Sequence, residues 1–275
     1  MSDFAADGFL VIPDFAGPAA IAALRERAEA IVAAFDPHEA RTIFSTADNG
    51  HAKDAYFLGS SDKIRCFFEA EAFDEAGELR VPKDRAINKL GHAMHDLDPV
   101  FERFSRDPRL REIALHCGIT APHLYQSMYI FKQPHIGGEV RWHQDGTYLV
   151  TDPQTVTGFW WALEDADRDN GCLWVQPGGH KTPLRETFVV DEAGPRTIVQ
   201  SDLPWPSLDD AIPVEVKAGT LVVLHGSLPH YSAPNRSAHS RHAYTLHVVD
   251  ARATYAATNW LQRPAAFPAR DFSLN

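Results

Sequence analysis

The chain has 275 residues, 44% hydrophobic and 23% charged, with a formal net charge of −11. That composition supplies a sizeable core and excludes wholesale disorder. The acidity disfavours a nucleic-acid groove, and no apolar run nears the roughly 20 residues of a membrane span, so neither nucleic acid nor membrane is an expected partner. The start M-S-D-F-A-A-D-G-F-L has no basic region and no cleavable apolar core, so no secretory signal is read there. Cys66, Cys117 and Cys172 are isolated and lack C-x-x-C spacing. This argues against a disulfide framework or a zinc ribbon, and a cytoplasmic location is expected.

In chain order, Asp14-Phe15-Ala16-Gly17-Pro18 is a turn that puts Pro18 at a first helical position. Ile21, Leu24, Ala28, Ile31, Val32 and Phe35 recur at helical spacing, and Asp36-Pro37 ends that helix. Residues 38–60 read as a loop with short extended pieces, and 61–70 as one short helix. Asp98-Pro99 and Asp107-Pro108 each supply an N-cap followed by proline at N1, and the second of these helices stops at Gly118. After residue 120 the texture changes to strands: Gln126 to Lys132, Thr157 to Glu164, Cys172 to Gln176, Thr220 to His225 and His242 to Val249. The turns D-A-D-R-D-N-G, Q-P-G-G and K-A-G separate them. The expected architecture is one domain over 1–275. Residues 1–120 form a largely helical flank, and 121–262 hold most of an antiparallel sandwich or barrel.

The fourteen histidines are the unusual count. His143 and Asp145, in H-Q-D, are two residues apart and share one face of an extended strand. His230, in H-G-S-L-P-H, is 87 residues further on, enough for hairpins to bring it back beside them. Two histidines and a carboxylate make the facial triad of non-haem Fe(II) oxygenases. H-x-[DE] alone is weak, since chance gives about two in such a chain; His143 heads the only one. Arg241 strengthens it: a cation flanked by small residues inside a barrel is costly unless an anion meets it. Ser232 would add a hydroxyl donor. The bland alternative is a surface H-x-D, a capping His230 and an exposed Arg241.

Long strings carry a more specific signal. S-D-K-I-R-C-F-F-E (61–69), I-N-K-L-G-H-A-M-H (87–95), Q-S-M-Y-I-F-K-Q-P-H-I-G-G-E-V (126–140), E-D-A-D-R-D-N-G-C-L-W (164–174), S-R-H-A-Y-T-L-H (240–247) and N-W-L-Q (259–262) stand beside H-Q-D (143–145). With them the chain resembles the phytanoyl-CoA dioxygenase family over nearly its whole length. The resemblance implies a mainly β protein with flanking α-helices and a double-stranded β-helix (jelly roll, cupin-like) core. It implies a dioxygenase that uses Fe(II), 2-oxoglutarate and O2, with ascorbate as an assisting reductant, releasing succinate and CO2 as it hydroxylates an organic substrate. Family metal ligands fall on His143, Asp145 and His230. The arginine that meets the far carboxylate of 2-oxoglutarate falls on Arg241, helped by Ser232. Other co-substrate contacts fall on Lys89, Met128 and Trp161. Without the resemblance, Met128 and Trp161 read equally as core, and Lys89 as a solvated lysine.

Related halogenases lack the ligand carboxylate; Asp145 is present, which favours hydroxylation. The chain ends D-F-S-L-N, not an S-K-L-type peroxisomal signal. With the acidity, that points to a small or medium, partly apolar substrate rather than a long acyl-CoA. Tyr56, Phe57, Phe67, Phe68, Trp142 and Tyr148 are candidates to roof its pocket, with Lys53, Lys63 and Arg65 as the nearest basic residues. His225, His180 and His242 read as structural. His247 reads as a satisfied core histidine more readily than as support for a metal ligand. The rivals are a non-catalytic jelly roll that binds a metal or small ligand, and a cupin-type isomerase or hydrolase. A monomer is expected.

Overall fold

The longer helices form where the sequence supplies both a start signal and an apolar stripe. In the computed structural model, which describes residues 3–38, 40–44 and 54–274, the helices are α1 (Phe4–Asp7), α2 (Pro18–Ala34), α3 (Ala55–Leu58), α4 (Lys83–Ala86), α5 (Met94–Leu97), α6 (Pro99–Ser105) and α7 (Pro108–His116). Lys53 lies outside the described residues. Pro18 opens α2, and the carboxylates of Asp98 and Asp107 accept from the first backbone amides of α6 and α7, as the Asp-Pro pairs predict.

The strands are β1 (Phe9–Ile12), β2 (Ile43–Phe44), β3 (Ile64–Glu69), β4 (Ile87–His92), β5 (Pro122–Ile130), β6 (Val140–His143), β7 (Thr151–Asp152), β8 (Thr157–Ala162), β9 (Leu173–Val175), β10 (Glu186–Asp191), β11 (Gly194–Val199), β12 (Ile212–Val214), β13 (Leu221–His225), β14 (His230–Ser232), β15 (Ala243–Asp250) and β16 (Thr254–Tyr255). A large sheet runs β1-β13-β8-β15-β5-β4-β3-β2, antiparallel except at β2–β3. A small sheet runs β12-β9-β14-β6, and the two make the jelly roll that the resemblance implies. The fold class is therefore mainly β with flanking helices, as expected.

The first third differs from its reading. Residues 61–70 hold strand β3, not a helix, and β1 to β4 give the large sheet four of its eight strands. Phe67 and Phe68 are adjacent and both fully buried, so this strand is covered on both faces. Burial on both sides removes the alternation by which a strand is recognised.

The two faces of the large sheet have different partners. Phe159, Trp161, Tyr244 and Leu246 pack with Leu24 and Ala28 of α2 and Phe101 of α6. Trp160, Ala162 and Ala243 pack instead with Leu173 and Val175 of the small sheet. Successive strand residues face opposite ways, so the neighbours Trp160 and Trp161 lie in different layers.

A buried ion cluster joins the helices to the C-terminal segment. The Asp96 carboxylate accepts from Arg106 at 2.6 Å and Arg270 at 2.8 Å, with Arg263 at 3.3 Å. Removing one member of such a cluster strands the others without water, at a cost of about 3–5 kcal/mol. Asp96→Ala should therefore lower unfolding free energy by that amount in urea titrations, whereas Asp62→Ala, on the surface beside Lys63, should change it by less than about 1 kcal/mol.

Candidate metal centre and co-substrate pocket

The small sheet sets the first part of the site. β6 ends at His143, β14 begins at His230, and the two are register partners, with ring centroids 4.0 Å apart. The chain then turns tightly over Asp145–Thr147, carrying the Asp145 carboxylate beneath both rings. Asp145 Oδ1 lies 3.6 Å from His230 Nε2 and 3.9 Å from His143 Nε2. The buried side chain of Gln144 staples the two segments together. Its amide donates to the Ser227 carbonyl at 2.7 Å and accepts from the Arg185 backbone at 2.9 Å.

Both imidazoles are held in the tautomer a ligand needs. Nδ1 of His143 is 2.8 Å from the Arg141 carbonyl, and Nδ1 of His230 is 3.0 Å from the Leu228 carbonyl. A carbonyl only accepts, so each Nδ1 carries the proton and each Nε2 turns a lone pair inward. Burial, with His230 beside it, pushes His143 down to about 3, so the ring is neutral at pH 7. Burial opposes ionisation of Asp145, but the His247 imidazole at Oδ2 outweighs it and holds the carboxyl well below its ordinary range. Candidate ligand atoms of His143, Asp145 and His230 all lie within 4.8 Å of one another, and this is the only such group of three among the described residues. The donor set suits a first-row divalent metal with open positions.

These residues line a cavity of about 460 Å³ between the sheets. Arg241 lies in its wall and is 1% exposed. Its Nε donates to the Gly171 carbonyl at 3.1 Å and its Nη2 to Ser232 Oγ at 3.2 Å; Nη1 is buried without a hydrogen-bond partner among the described residues. The guanidinium carbon sits 5.2 Å from the Trp160 ring centroid. Burial lowers its pKa only to about 10, so the group stays charged. The arrangement therefore leaves a desolvated fork with one prong unused.

Lys89 and Met128 also face the cavity, with Lys89 Nζ 3.7 Å from Met128 Sδ and 3.0 Å from the Phe44 ring centroid. Trp161 does not. Its ring lies in the helical layer, stacked on Tyr244 at 5.7 Å and edge-on to Phe104 at 5.2 Å. Strand parity gives the reason, and its neighbour Trp160 takes the cavity position beneath Arg241. Of the roof candidates, Phe57, Trp142 and Tyr148 line the cavity; Phe67 and Phe68 are core, and Tyr56 packs on Phe67.

Among the lining residues that sequence reasoning missed are Trp160, Gln126, Lys132 and Glu186. Lys132 is buried close to Arg241, and its ammonium donates to the carbonyls of Gly138 at 2.6 Å and Ser232 at 3.4 Å. Glu69, buried nearby, accepts from Asn88 and the Gly138 amide. Burial, with Arg241 beside it, pushes the Lys132 ammonium well below its ordinary range, so Arg241 is the group at this end that lacks an anion. His180, His225 and His242 are structural as expected; His180 and His225 pack on each other at 5.1 Å, and His242 meets the Tyr129 hydroxyl. His247 is not an ordinary core histidine, because its Nε2 lies 3.3 Å from Asp145 Oδ2.

A family model described as phytanoyl-CoA dioxygenase (PhyH) matches residues 4–243. The chain belongs to the phytanoyl-CoA dioxygenase family. Among its relatives in the family, a phytanoyl-CoA dioxygenase of Arabidopsis thaliana is 45% identical over 263 residues, covering 94% of this chain and 91% of that one. The phytanoyl-CoA dioxygenase domain-containing protein 1 of Mus musculus is 42% identical over 278 residues, covering 98% and 95%. The resemblance read from the sequence thus holds over nearly the full length. EctD from S. alaskensis with bound Fe superposes with a TM-score of 0.64 at 20% identity, over 95% of this chain and 79% of that one. The non-heme alpha ketoglutarate dependent carbocyclase SnoK from nogalamycin biosynthesis gives 0.63 at 18% identity, over 97% and 93%. At such identities the two structures establish a shared fold. No helix among the described residues is long and apolar enough to cross a membrane.

Asp145 is the one carboxylate in the candidate group. Asp145→Ala should weaken Mn(II) binding by more than about a hundredfold, beyond the usual cost of losing a hydrogen bond to a ligand. Competition with a chelator measures this; wild-type affinity in the variant would place the metal elsewhere.

Proposed function

We propose that this chain is an Fe(II)- and 2-oxoglutarate-dependent dioxygenase that hydroxylates a small or medium, partly apolar organic molecule. The observation that carries the reading is the pairing, in one cavity, of an inward-facing His143/Asp145/His230 set with a buried Arg241 that lacks an anion. His143, Asp145 and His230 would hold the iron. Bound there, iron supplies the activation of O2 that is coupled to decarboxylation of 2-oxoglutarate to succinate and CO2.

The protein's own part is binding, orientation and dryness. Arg241 meets the far carboxylate of the co-substrate with its free Nη1, and Ser232 orients the guanidinium through Nη2. Lys132, buried at the same end, spans the carbonyls of Gly138 and Ser232 and holds that wall in place. Trp160 closes the wall there, which keeps water from the ion pair and strengthens it. Lys89 and Met128 flank the co-substrate from β4 and β5.

The remaining space suits an apolar body with few polar contacts. Phe57 stacks on Trp260 at 4.5 Å, and both line the cavity together with Leu149. The Gln126 amide and the Tyr148 hydroxyl line it too, and neither has a hydrogen-bond partner among the described residues. They are the polar handles available to a substrate. With a net charge of −11 the chain offers no obvious cationic rim for a CoA phosphate, and Lys53, Lys63 and Arg65 are the residues that could supply a local one.

Supplied with Fe(II), 2-oxoglutarate and ascorbate in air, the protein should form succinate, faster in the presence of a true substrate. Arg241→Ala should raise half-saturating 2-oxoglutarate by at least about thirtyfold, the equivalent of roughly 2 kcal/mol for stripping one partner from a buried charge pair. Arg241→Lys should recover only part, because an ammonium cannot reproduce the planar fork. Parent-like titrations in both variants would move the co-substrate anchor to another residue.

A further inference from the structure

We infer that His247, from the opposite sheet, is a positioning residue that fixes Asp145 as a one-oxygen metal ligand; the inference rests on the metal reading above. The two oxygens of Asp145 have different surroundings. Oδ1 faces His143 and His230, at 3.9 and 3.6 Å from their Nε2 atoms. Oδ2 faces away from them, 3.3 Å from Nε2 of His247. His247 is outside the group of three whose ligand atoms cluster. It touches the carboxylate, not the metal position.

Its tautomer follows from its surroundings. Nδ1 of His247 is buried with no hydrogen-bond partner among the described residues. A proton on Nδ1 would leave a buried donor unpaired and set the Nε2 lone pair against a carboxylate oxygen. A proton on Nε2 removes both penalties, so His247 donates to Oδ2. The ring is 6% exposed, and strand pairing sets it between Gln126 of β5 and Gly158 of β8.

Gly158 completes the arrangement. A Cβ on this residue would lie 2.7 Å from Asp145 Oδ2 and 3.6 Å from His247 Nε2. No side chain can occupy that place while the carboxylate keeps its position. Gly158 and His247 together form a cradle for Oδ2 on the floor of the large sheet. With Oδ2 held there, Asp145 presents Oδ1 alone, and it cannot rotate to chelate through both oxygens. A metal held by His143, Oδ1 of Asp145 and His230 would then keep room for co-substrate.

Co(II), added alone under anaerobic conditions, is the probe, because its visible absorption reports the coordination number. His247→Leu should weaken Co(II) binding by about 10–100-fold, the usual cost of an outer partner, and alter the absorption. His247→Gln returns an N–H donor near the position of Nε2 and should restore both. At saturating metal, half-saturating 2-oxoglutarate should change little in either variant, unlike in Arg241→Ala. Gly158→Ala crowds Oδ2 while meeting His247 only at ordinary van der Waals distance, and should reproduce the altered absorption. Wild-type affinity and spectrum in His247→Leu, or a folded His247→Gln no better than His247→Leu, would overturn the inference. A wild-type protein that takes up no Co(II) would instead sink the metal reading, and this inference with it.

Discussion

Three imidazoles converge on the carboxylate of Asp145, and the strands that carry them belong to both halves of the sandwich. His143 and His230 come from paired strands of the small sheet, and His247 comes from a central strand of the large one. Every other feature of the site is placed relative to this junction. The tight turn after β6 brings the carboxylate in, the Gln144 amide locks that turn to the segment before β14, and Gly158 leaves the space the carboxylate occupies. A buried carboxylate is costly unless paired or hydrogen-bonded. Here the pairing is divided, with one oxygen turned toward two inward lone pairs and the other held from behind. An arrangement of lone pairs and negative charge around one point is unfavourable on its own, and a divalent cation relieves it.

The far end of the cavity has the opposite imbalance. Arg241 is buried with Nη1 unpartnered among the described residues, and Lys132, also buried, lies near Glu69 and Glu139 and is pushed well below its ordinary range. Burying a guanidinium with one prong unsatisfied destabilises the free protein, and folds keep such groups where a ligand completes them. A dianion with one end at the triad and the other at Arg241 answers both imbalances.

Much of this was legible in the sequence, and the exceptions have physical causes. Five of the twelve strands after residue 120 were visible from β-branched and aromatic runs bounded by turn residues, the shorter ones such as β6 and β14 being too brief to show a pattern, and the Asp-Pro helix starts followed from capping chemistry. His143, Asp145 and His230 followed from a spacing of two and a returning histidine, and Arg241 from a cation set among small residues. Strand β3 was not legible, because adjacent buried phenylalanines erase the alternation that marks a strand. Trp160 and Trp161 could not be told apart in role without knowing which face of β8 meets the small sheet. His247 and Lys132 carry no local signal; only tertiary contact gives one its carboxylate and the other its neighbour Arg241. Gly158 was equally silent, since the space it leaves is defined by a side chain thirteen residues earlier in sequence.

The central claim is that one cavity binds ferrous iron at the triad and 2-oxoglutarate between that iron and Arg241. Anaerobic titration of the Fe(II)-loaded protein with 2-oxoglutarate, followed by visible absorption, tests both halves together. Chelation of ferrous iron by a 2-oxo acid produces a metal-to-ligand charge-transfer band. The account predicts that this band grows to saturation at one equivalent of 2-oxoglutarate per iron. Iron that binds stoichiometrically while 2-oxoglutarate produces no band would contradict it.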